Sequence, residues 1–197
     1  KQNLENHKAN MRKVARAYVE LEAPTNGHFV APAVYLLDNL NQLQREVFGP
    51  ILHIVRYKKE NLVNVLNEVN AKGYALTGGC HSRIRKQMDL VEKHLHCGNF
   101  YINRNIVGAV VGVQPFGGHG LSGTGPKAGG EFYLQRLTKT DRYYSQFGDE
   151  NSLGNAQPVL DSITGERNSL AYLPSEVAIL NGDLATSEKA ANKLLAK

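Results

Sequence analysis

The sequence predicts an α/β fold built from parallel βαβ units. Short runs of apolar, β-branched or aromatic residues alternate with longer segments in which apolar residues recur at helical spacing. A strand followed by an amphipathic helix and another strand is typical of parallel pairing, because the helix carries the chain back to the same end of the sheet. The composition agrees, since 42% hydrophobic and 21% charged residues in a chain of 197 favour a packed core over disorder.

The first part of the chain predicts one helix and two strands. Apolar residues at helical spacing predict an outer helix over residues 3–18, before a turn that begins at Pro24. Residues 28–37 are apolar but contain Pro32, so they predict an edge or interrupted strand. Residues 51–57 form a short, β-branched run that predicts a largely buried strand.

Two further helix-strand alternations follow. Residues 60–72 carry an apolar stripe and predict a helix, with Gly73 at the position of a C-terminal glycine cap. Residues 74–80 predict a strand, residues 84–96 a second amphipathic helix, and residues 100–103 a third strand. This order is the main basis for the predicted fold class.

The glycine-rich stretch at residues 108–130 predicts a structured loop. We divide the chain into a partial α/β domain at residues 1–143, a linker at residues 144–170 and the start of a second α/β unit at residues 171–197. That last unit is expected to contain a strand at residues 177–180 and a helix from about residue 187.

Charge and cysteine content exclude some classes of function. The net charge is +5, but lysines and arginines are scattered and form no run or stripe, so nucleic-acid binding through this region is not expected. No apolar run reaches the roughly 20 residues of a membrane span, so no span is expected. Two cysteines outside any CxxC pattern favour a reducing compartment, and we expect a cytoplasmic protein.

Residues 118–123 match the pattern GxGxxG of dinucleotide-binding loops. The match follows a loop, and Pro126 and Gly129 would interrupt the helix that such a site requires. We therefore interpret these glycines as a loop held close to another backbone segment.

Four other side chains could carry chemistry but lack the necessary companions. His94, His96 and Cys97 could bind zinc, yet no second cluster completes a tetrahedral site, and a helix end with cationic side chains is the preferred interpretation. Cys80 and Cys97 have no general base nearby in the sequence, so we interpret both as structural thiols.

Residues 46–50, with the sequence EVFGP, combine a carboxylate, an aromatic ring and a turn before a predicted strand. Alone, such a glutamate is more often solvated and such a phenylalanine more often in the core. The segment gains meaning from its order with three others, GYALTGG at residues 73–79, GNFYIN at residues 98–103 and PFGGHGLSG at residues 115–123. Together they resemble the aldehyde dehydrogenase superfamily over about the first 140 residues.

The resemblance implies roles for two residues of the EVFGP segment. In that family its glutamate hydrogen-bonds the hydroxyls of the nicotinamide ribose, and its phenylalanine packs beside the nicotinamide ring. These roles fall on Glu46 and Phe48. The chemistry is suitable, because a carboxylate accepts from two vicinal hydroxyls and an aromatic face restrains a planar ring. The resemblance thus implies NAD as the cofactor.

Residues 103–130 resemble, more narrowly, the glutamate-semialdehyde (1-pyrroline-5-carboxylate) dehydrogenase module of the proline utilization A family. The resemblance implies that Gly108 and Ala109 hold the amino acid end of the aldehyde, where small residues let backbone amides approach a carboxylate. It implies that Phe116 packs on the aliphatic stem of the substrate, with a plain core role as the alternative. His119 departs from the acidic residue expected in this family, and the effect of that change stays open.

The implied reaction starts with a cysteine thiolate that attacks the aldehyde, after which hydride passes to NAD and water hydrolyses the thioester with a glutamate base. That cysteine is expected upstream of the first helix, and neither Cys80 nor Cys97 matches it. We therefore expect the C-terminal part of a longer enzyme, inactive alone. Expected partners are the aldehyde substrate, the missing N-terminal part and further copies in a homo-oligomer. FAD is expected only if a proline dehydrogenase module lies upstream.

Two alternatives remain. The chain could be a non-catalytic scaffold or oligomerisation module of the same fold, although a scaffold need not retain Glu46, Phe48 and the pair Gly108 and Ala109 together. It could also belong to an aldehyde dehydrogenase with another substrate, which would be expected to lack the long pattern at residues 108–130.

Overall fold

The structure is a computed structural model and describes residues 1–130, 133–137, 159–160 and 164–171. It is mixed α/β with parallel strands, which confirms the predicted fold class. The chain divides into two compact units, Lys1–Leu137 and Thr138–Lys197. The limits predicted from the sequence for the domain and the linker stay a prediction.

A three-stranded sheet lies beside the first helix. The helix α1 spans Gln2–Val14, and the strands are β1 (Ala17–Glu20), β2 (Ala33–Leu37) and β3 (Ile51–Val55). Their order is β1-β2-β3, with β1 antiparallel to β2 and β2 parallel to β3. The buried side chains of this core come from α1 and β2, and they are Met11, Ala33, Tyr35 and Leu37.

Three predictions for this region were wrong in detail. The helix predicted over residues 3–18 ends at Val14, because the next residues pair with β2 as strand β1. The strand predicted at residues 28–37 begins only after Pro32 and is central in the described sheet, so the proline removes no ladder hydrogen bond. The strand β3 is not largely buried, because one of its faces is not covered by the described residues.

The burial of β3 alternates along the strand. Leu52 and Ile54 are 55% and 40% exposed, whereas Ile51 and Val55 pack against the core shared with α1. Successive side chains of a strand point to opposite faces, so only one face of β3 is covered by the described residues. An uninterrupted apolar run in the sequence does not show which face lacks a neighbour.

The predicted parallel βαβ unit follows the three-stranded sheet along the chain. Strand β5 (Thr77–Cys80) is followed by helix α3 (Arg85–His94) and by strand β6 (Asn99–Ile102), which pairs in parallel with β5. Helix α2 (Leu62–Asn70) packs beside α3 through a core formed by Leu62, Leu66 and Val91. The two helices and this strand pair agree with the predicted order.

Residues 74–80 form two strands instead of the single predicted strand. The short β4 (Tyr74–Ala75) pairs antiparallel with β7 (His119–Gly120), whereas β5 pairs with β6. The partner of β4 lies within the glycine-rich loop, more than forty residues away along the chain. The sequence around β4 does not reveal that the two halves of this run have different partners.

The ends of α2 and α3 are joined by one side chain. Gly73 follows α2 with φ +79°, as expected of a C-terminal glycine cap. Asn70 donates from Nδ2 to the carbonyl oxygen of His94 (2.7 Å) and accepts at Oδ1 from the amide of His96 (2.9 Å). Asn70 therefore satisfies backbone groups at the end of α3.

Part of the predicted linker forms regular structure. Strands β8 (Val159–Leu160) and β9 (Asn168–Ser169) pair antiparallel within the second unit. A short helix, α4 (Tyr133–Arg136), precedes them at the end of the first unit. The strand predicted at residues 177–180 and the helix predicted from about residue 187 lie outside the described residues. Among the described helices, none has the length and apolarity needed to cross a membrane.

Two histidines connect α1 to β3. The Nε2 atoms of His7 and His53 are 2.9 Å apart, and the ring of His53 stacks on that of Tyr35 with 6.2 Å between centroids. Desolvation by burial lowers the pKa of both imidazoles, and the Arg45 charge lowers that of His7 further. The hydrogen bond requires one ring to donate and the other to accept, so it is lost when both rings are protonated.

Replacement of both histidines, His7→Gln with His53→Gln, is expected to reduce the loss of stability in mild acid. A histidine pKa below the ordinary 6.5 means that the unfolded chain takes up protons first, so stability falls as the pH drops through that value. Thermal unfolding between about pH 7.5 and about pH 5 would show a shallower slope in the double variant. The exposed His28→Gln serves as control, and parallel slopes for all three proteins would contradict this expectation.

Candidate functional site

The EVFGP segment is an exposed turn between a 3-10 turn at Leu40–Gln42 and strand β3. Glu46 is exposed, and the ring of Phe48 is 79% exposed. Leu4 of α1 lies directly against Gly49, where an added Cβ would come within 2.7 Å of its side chain. The packing of Leu4 against Gly49 thus holds the turn near α1, and a carboxylate and a large aromatic ring within it stay accessible.

The glycine-rich loop begins at the end of β6 in a sharp turn. Asn103 has φ +56°, a left-handed conformation that asparagine tolerates better than most residues. Its Oδ1 accepts from the amide of Ser82 (2.9 Å), which ties the end of β6 to the segment that follows β5. The loop therefore leaves the sheet in a fixed direction.

Gly108 and Ala109 lie together in this loop, held by a residue of β6. Tyr101, which is 6% exposed, donates from its hydroxyl to the carbonyl oxygen of Gly108 (2.6 Å). Gly108 has φ +66°, and no heavy atom lies within 4 Å of an added Cβ. Within the described part of the chain, the amides of Gly108 and Ala109 donate no hydrogen bond. The loop thus contains two consecutive backbone donors without a partner among the described residues, next to a glycine whose Cβ side is open.

Gln114 closes the loop on itself. Its side-chain Oε1 accepts from the amide of Val110 (3.0 Å), and its own amide donates to the carbonyl oxygen of Val110 (2.9 Å). The residue is only 8% exposed, which is uncommon for a glutamine. Sequence reasoning assigned no role to Gln114, although a lone carboxamide among glycines and valines is a usable signal for an internal loop bond.

Phe116 is half-buried and its backbone is fixed by pairing. Its amide donates to the carbonyl oxygen of Ala128 (3.0 Å), and the Ala128 amide returns a bond of 2.8 Å. The structure thus brings Gly108, Ala109 and Phe116 into one loop that follows β6. Glu46 and Phe48 lie before a strand of another sheet, and no backbone hydrogen bond among the described residues joins the two groups.

Asn99 and Lys127 connect this loop to the start of β6. Asn99 donates from Nδ2 to the carbonyl oxygen of Pro115 (2.9 Å) and accepts at Oδ1 from the amide of Gly117 (3.2 Å). The Nζ of Lys127 donates to Gly98 O (2.5 Å), Gly117 O (2.7 Å) and Asn99 Oδ1 (3.0 Å). Burial lowers the pKa of this ammonium. The sequence did not predict a role for either residue, because their hydrogen-bond partners are distant in the chain.

A sequence model of the aldehyde dehydrogenase family matches residues 2–142. The chain belongs to the aldehyde dehydrogenase family. The match includes all five predicted site residues and the helices and strands from α1 to α4. The resemblance found on four short segments therefore extends over most of the chain.

The similar proteins in this family are named either PutA or 1-pyrroline-5-carboxylate dehydrogenase. The bifunctional protein PutA of Rhizobium meliloti is 50% identical over 143 residues, which cover 71% of this chain and 12% of that protein. A crystal structure of a Bradyrhizobium japonicum Proline Utilization A (PutA) variant is 54% identical, with a TM-score of 0.66, over 69% of this chain and 14% of that one. The NAD-bound 1-pyrroline-5-carboxylate dehydrogenase from Thermus is 36% identical, with a TM-score of 0.59, over 66% and 25%. The chain therefore spans between an eighth and a quarter of the length of these relatives.

Cys97 lacks the environment of a nucleophile, and Cys80 lies within strand β5. Both are half-buried. Burial raises the pKa of the Cys97 thiol to about 11, so the thiol stays protonated near neutral pH and donates to the carbonyl oxygen of Asn99 (3.5 Å). Within the described residues, no three metal-ligating side chains gather. His94 ends α3 and His96 contacts Asn70 through its backbone, as described above.

The GxGxxG match at residues 118–123 has no helix after it. Strand β7 and a turn occupy these positions instead. An added Cβ on Gly118 would lie 2.7 Å from the carbonyl oxygen of Ser122 and 2.9 Å from that of Ala75. The glycine is thus required by close backbone approach, in agreement with the interpretation from the sequence. His119 lies in β7 opposite Ala75.

Proposed function

We propose that this chain is the C-terminal part of an NAD-dependent dehydrogenase that oxidises L-glutamate γ-semialdehyde, derived from 1-pyrroline-5-carboxylate, to L-glutamate in proline catabolism. The observation that carries the proposal is the pair of consecutive amides at Gly108 and Ala109, which have no partner among the described residues and lie where Tyr101 fixes the Gly108 carbonyl. The names of the relatives support it, since the similar proteins are named PutA and 1-pyrroline-5-carboxylate dehydrogenase.

The loop is suited to bind the amino acid end of the substrate. Consecutive amides without an internal partner can form a donor site for a carboxylate. Gly108 provides a left-handed turn without a side chain, so an anion can approach its backbone. Phe116 is half-buried, and its backbone is held by two hydrogen bonds with Ala128. Its ring would offer an apolar face to the carbon chain between the carboxylate and the aldehyde.

The EVFGP turn is suited to bind the cofactor. Glu46 would accept from the two ribose hydroxyls, and Phe48 would pack beside the nicotinamide. Both side chains are accessible and belong to one short turn, as such a contact requires. When bound, NAD would accept the hydride of the aldehyde oxidation. FAD would belong to a proline dehydrogenase module, if one precedes this segment.

The segment would bind and orient but would not supply the nucleophile. The raised pKa of Cys97 makes its thiolate scarce at neutral pH, and Cys80 lies within strand β5. We infer that the chain alone does not turn over. Its partners would be the preceding part of the same enzyme and further copies in a homo-oligomer.

The test is NAD reduction with glutamate semialdehyde, measured for the full-length protein and for this chain. Turnover is expected only in the full-length protein. In that protein Glu46→Ala is expected to raise KM for NAD about tenfold, because hydrogen bonds to a charged carboxylate are lost.

The control for this variant is Glu22→Ala, which removes an equally exposed carboxylate from a different loop. It should leave KM for NAD unchanged. Turnover by the short chain would show that Cys80 or Cys97 is the nucleophile and that the proposed division of labour is wrong. An unchanged KM in Glu46→Ala would remove the cofactor role from that residue.

A further inference from the structure

One carboxamide side chain holds the backbone on both sides of Phe116. Asn99 donates to the carbonyl oxygen of the residue before it, Pro115, and accepts from the amide of the residue after it, Gly117. Both bonds form only when Nδ2 and Oδ1 point the right way, since a flipped amide would place a donor against the Gly117 amide. The position of Phe116 therefore depends on the orientation of a single amide.

Lys127 fixes that orientation. Its ammonium donates to Asn99 Oδ1 at 3.0 Å, so a flipped Asn99 would turn its NH₂ group towards a cation. The other two donors bind Gly98 O and Gly117 O, so the ammonium uses all three of its donors on this one junction. The neighbouring residue, Ala128, pairs with Phe116. Lysine and loop are thus held as one unit.

We propose that Asn99 and Lys127 act together as positioning residues that set the ring of Phe116 against the carbon chain of the aldehyde. The proposal rests on the function proposed above. Neither residue is proposed to contact the substrate. They would act on the position of Phe116 by holding the backbone of residues 115–117. Among the described residues, Ala128 is the strand partner of Phe116, and the two side chains add hydrogen bonds to the backbone before and after it.

The proposal predicts a selective loss of substrate binding. A shift of the Phe116 ring would weaken its contact with the aldehyde stem. The EVFGP turn precedes a strand of another sheet, so its geometry should not change. KM for the semialdehyde should therefore rise and KM for NAD should not. A purely structural role would instead lower the amount of active enzyme, which reduces kcat and leaves both KM values unchanged.

The decisive variant is Asn99→Asp in the full-length enzyme. Aspartate keeps oxygens for the Gly117 amide and for Lys127, with which it would form an ion pair, but it has no N–H for the carbonyl oxygen of Pro115. We expect a small decrease in Tm from the unmatched carbonyl of Pro115, an unchanged KM for NAD and a rise of about tenfold in KM for the semialdehyde. Lys127→Met should raise the same KM, and the exposed Lys86→Met is the matched control that should not.

The outcomes separate this proposal from the one on which it rests. If the unmodified protein does not reduce NAD with the semialdehyde, the proposed function fails and the positioning role fails with it. If the unmodified protein turns over but Asn99→Asp keeps its KM for the semialdehyde, or loses Tm together with kcat, only the positioning role is overturned. A selective rise in that one KM in both Asn99→Asp and Lys127→Met supports it.

Discussion

Replacement of Gly98 by alanine is expected to destabilise the first unit by about 3 kcal/mol or more, since two backbone segments would be forced apart. An added Cβ would lie 1.8 Å from the carbonyl oxygen of Gly117 and 2.8 Å from the Cα of Gly118. These are backbone atoms, which cannot rotate away. The same carbonyl of Gly117 accepts from Lys127, so a displacement would also break that bond.

Thermal unfolding measures this effect, with an expected decrease in Tm of roughly 10 °C for a protein of this size. The matched control is Gly112→Ala, where φ is +81° and no atom lies within 4 Å of the new Cβ. That variant should lose only about 1 kcal/mol for the left-handed conformation. Equal losses in the two variants would mean that residues 98 and 117 are not in close contact.

Replacement of Glu20 by glutamine is expected to cost about 3 kcal/mol at neutral pH, because a buried cation loses its carboxylate. Lys8 is only 3% exposed and lies 3.4 Å from Glu20 Oε2. Arg12 donates to both oxygens of the carboxylate (2.6 and 2.9 Å), and the hydroxyl of Tyr35 donates to Oε1. The network joins α1 to strands β1 and β2, so its loss affects the packing of the whole first sheet.

The same variant is expected to remove a component of acid unfolding. The hydrogen bonds from Arg12, with smaller contributions from Tyr35 and Lys8, lower the pKa of Glu20 from 4.5 to about 2 against the opposing effect of burial. A carboxyl pKa that is lower in the folded chain contributes stability above pH 4.5, and this contribution disappears as the pH falls towards 2.

Chemical unfolding at neutral pH and in acid would measure both effects of Glu20→Gln. The control is Asp89→Asn, which neutralises the carboxylate of the exposed pair with Arg85 (2.7 Å) and should cost less than about 0.5 kcal/mol. Equally small effects of Glu20→Gln and Asp89→Asn on the free energy of unfolding would contradict the claim that Glu20 neutralises a buried Lys8.

Much of the fold followed from local patterns along the chain. The helices α2 and α3, the glycine at the end of α2, and the parallel pair β5 and β6 were predicted from apolar spacing and strand composition. These features depend on residues a few positions apart, which is the range at which helical and strand periodicities are set. The EVFGP turn and the loop at residues 108–130 were located by their motifs in the same way.

Features that depend on distant partners did not follow from the sequence. The end of α1 at Val14 and the position of β2 in the middle of its sheet were decided by strand pairing, and the exposure of one face of β3 by which segments pack on it. The same holds for the split of residues 74–80, since β4 pairs with β7 across more than forty residues.

The sequence by itself determined the fold class, the family and which residues are candidates to bind substrate and cofactor. Only the tertiary structure decided how Gly108 and Phe116 are held, through Tyr101, Asn99 and Lys127. The physical reason is that a hydrogen bond between residues far apart in the chain leaves no periodic signal in the sequence. A lysine that donates to three backbone and side-chain oxygens has the same letter in the sequence as one that points into water.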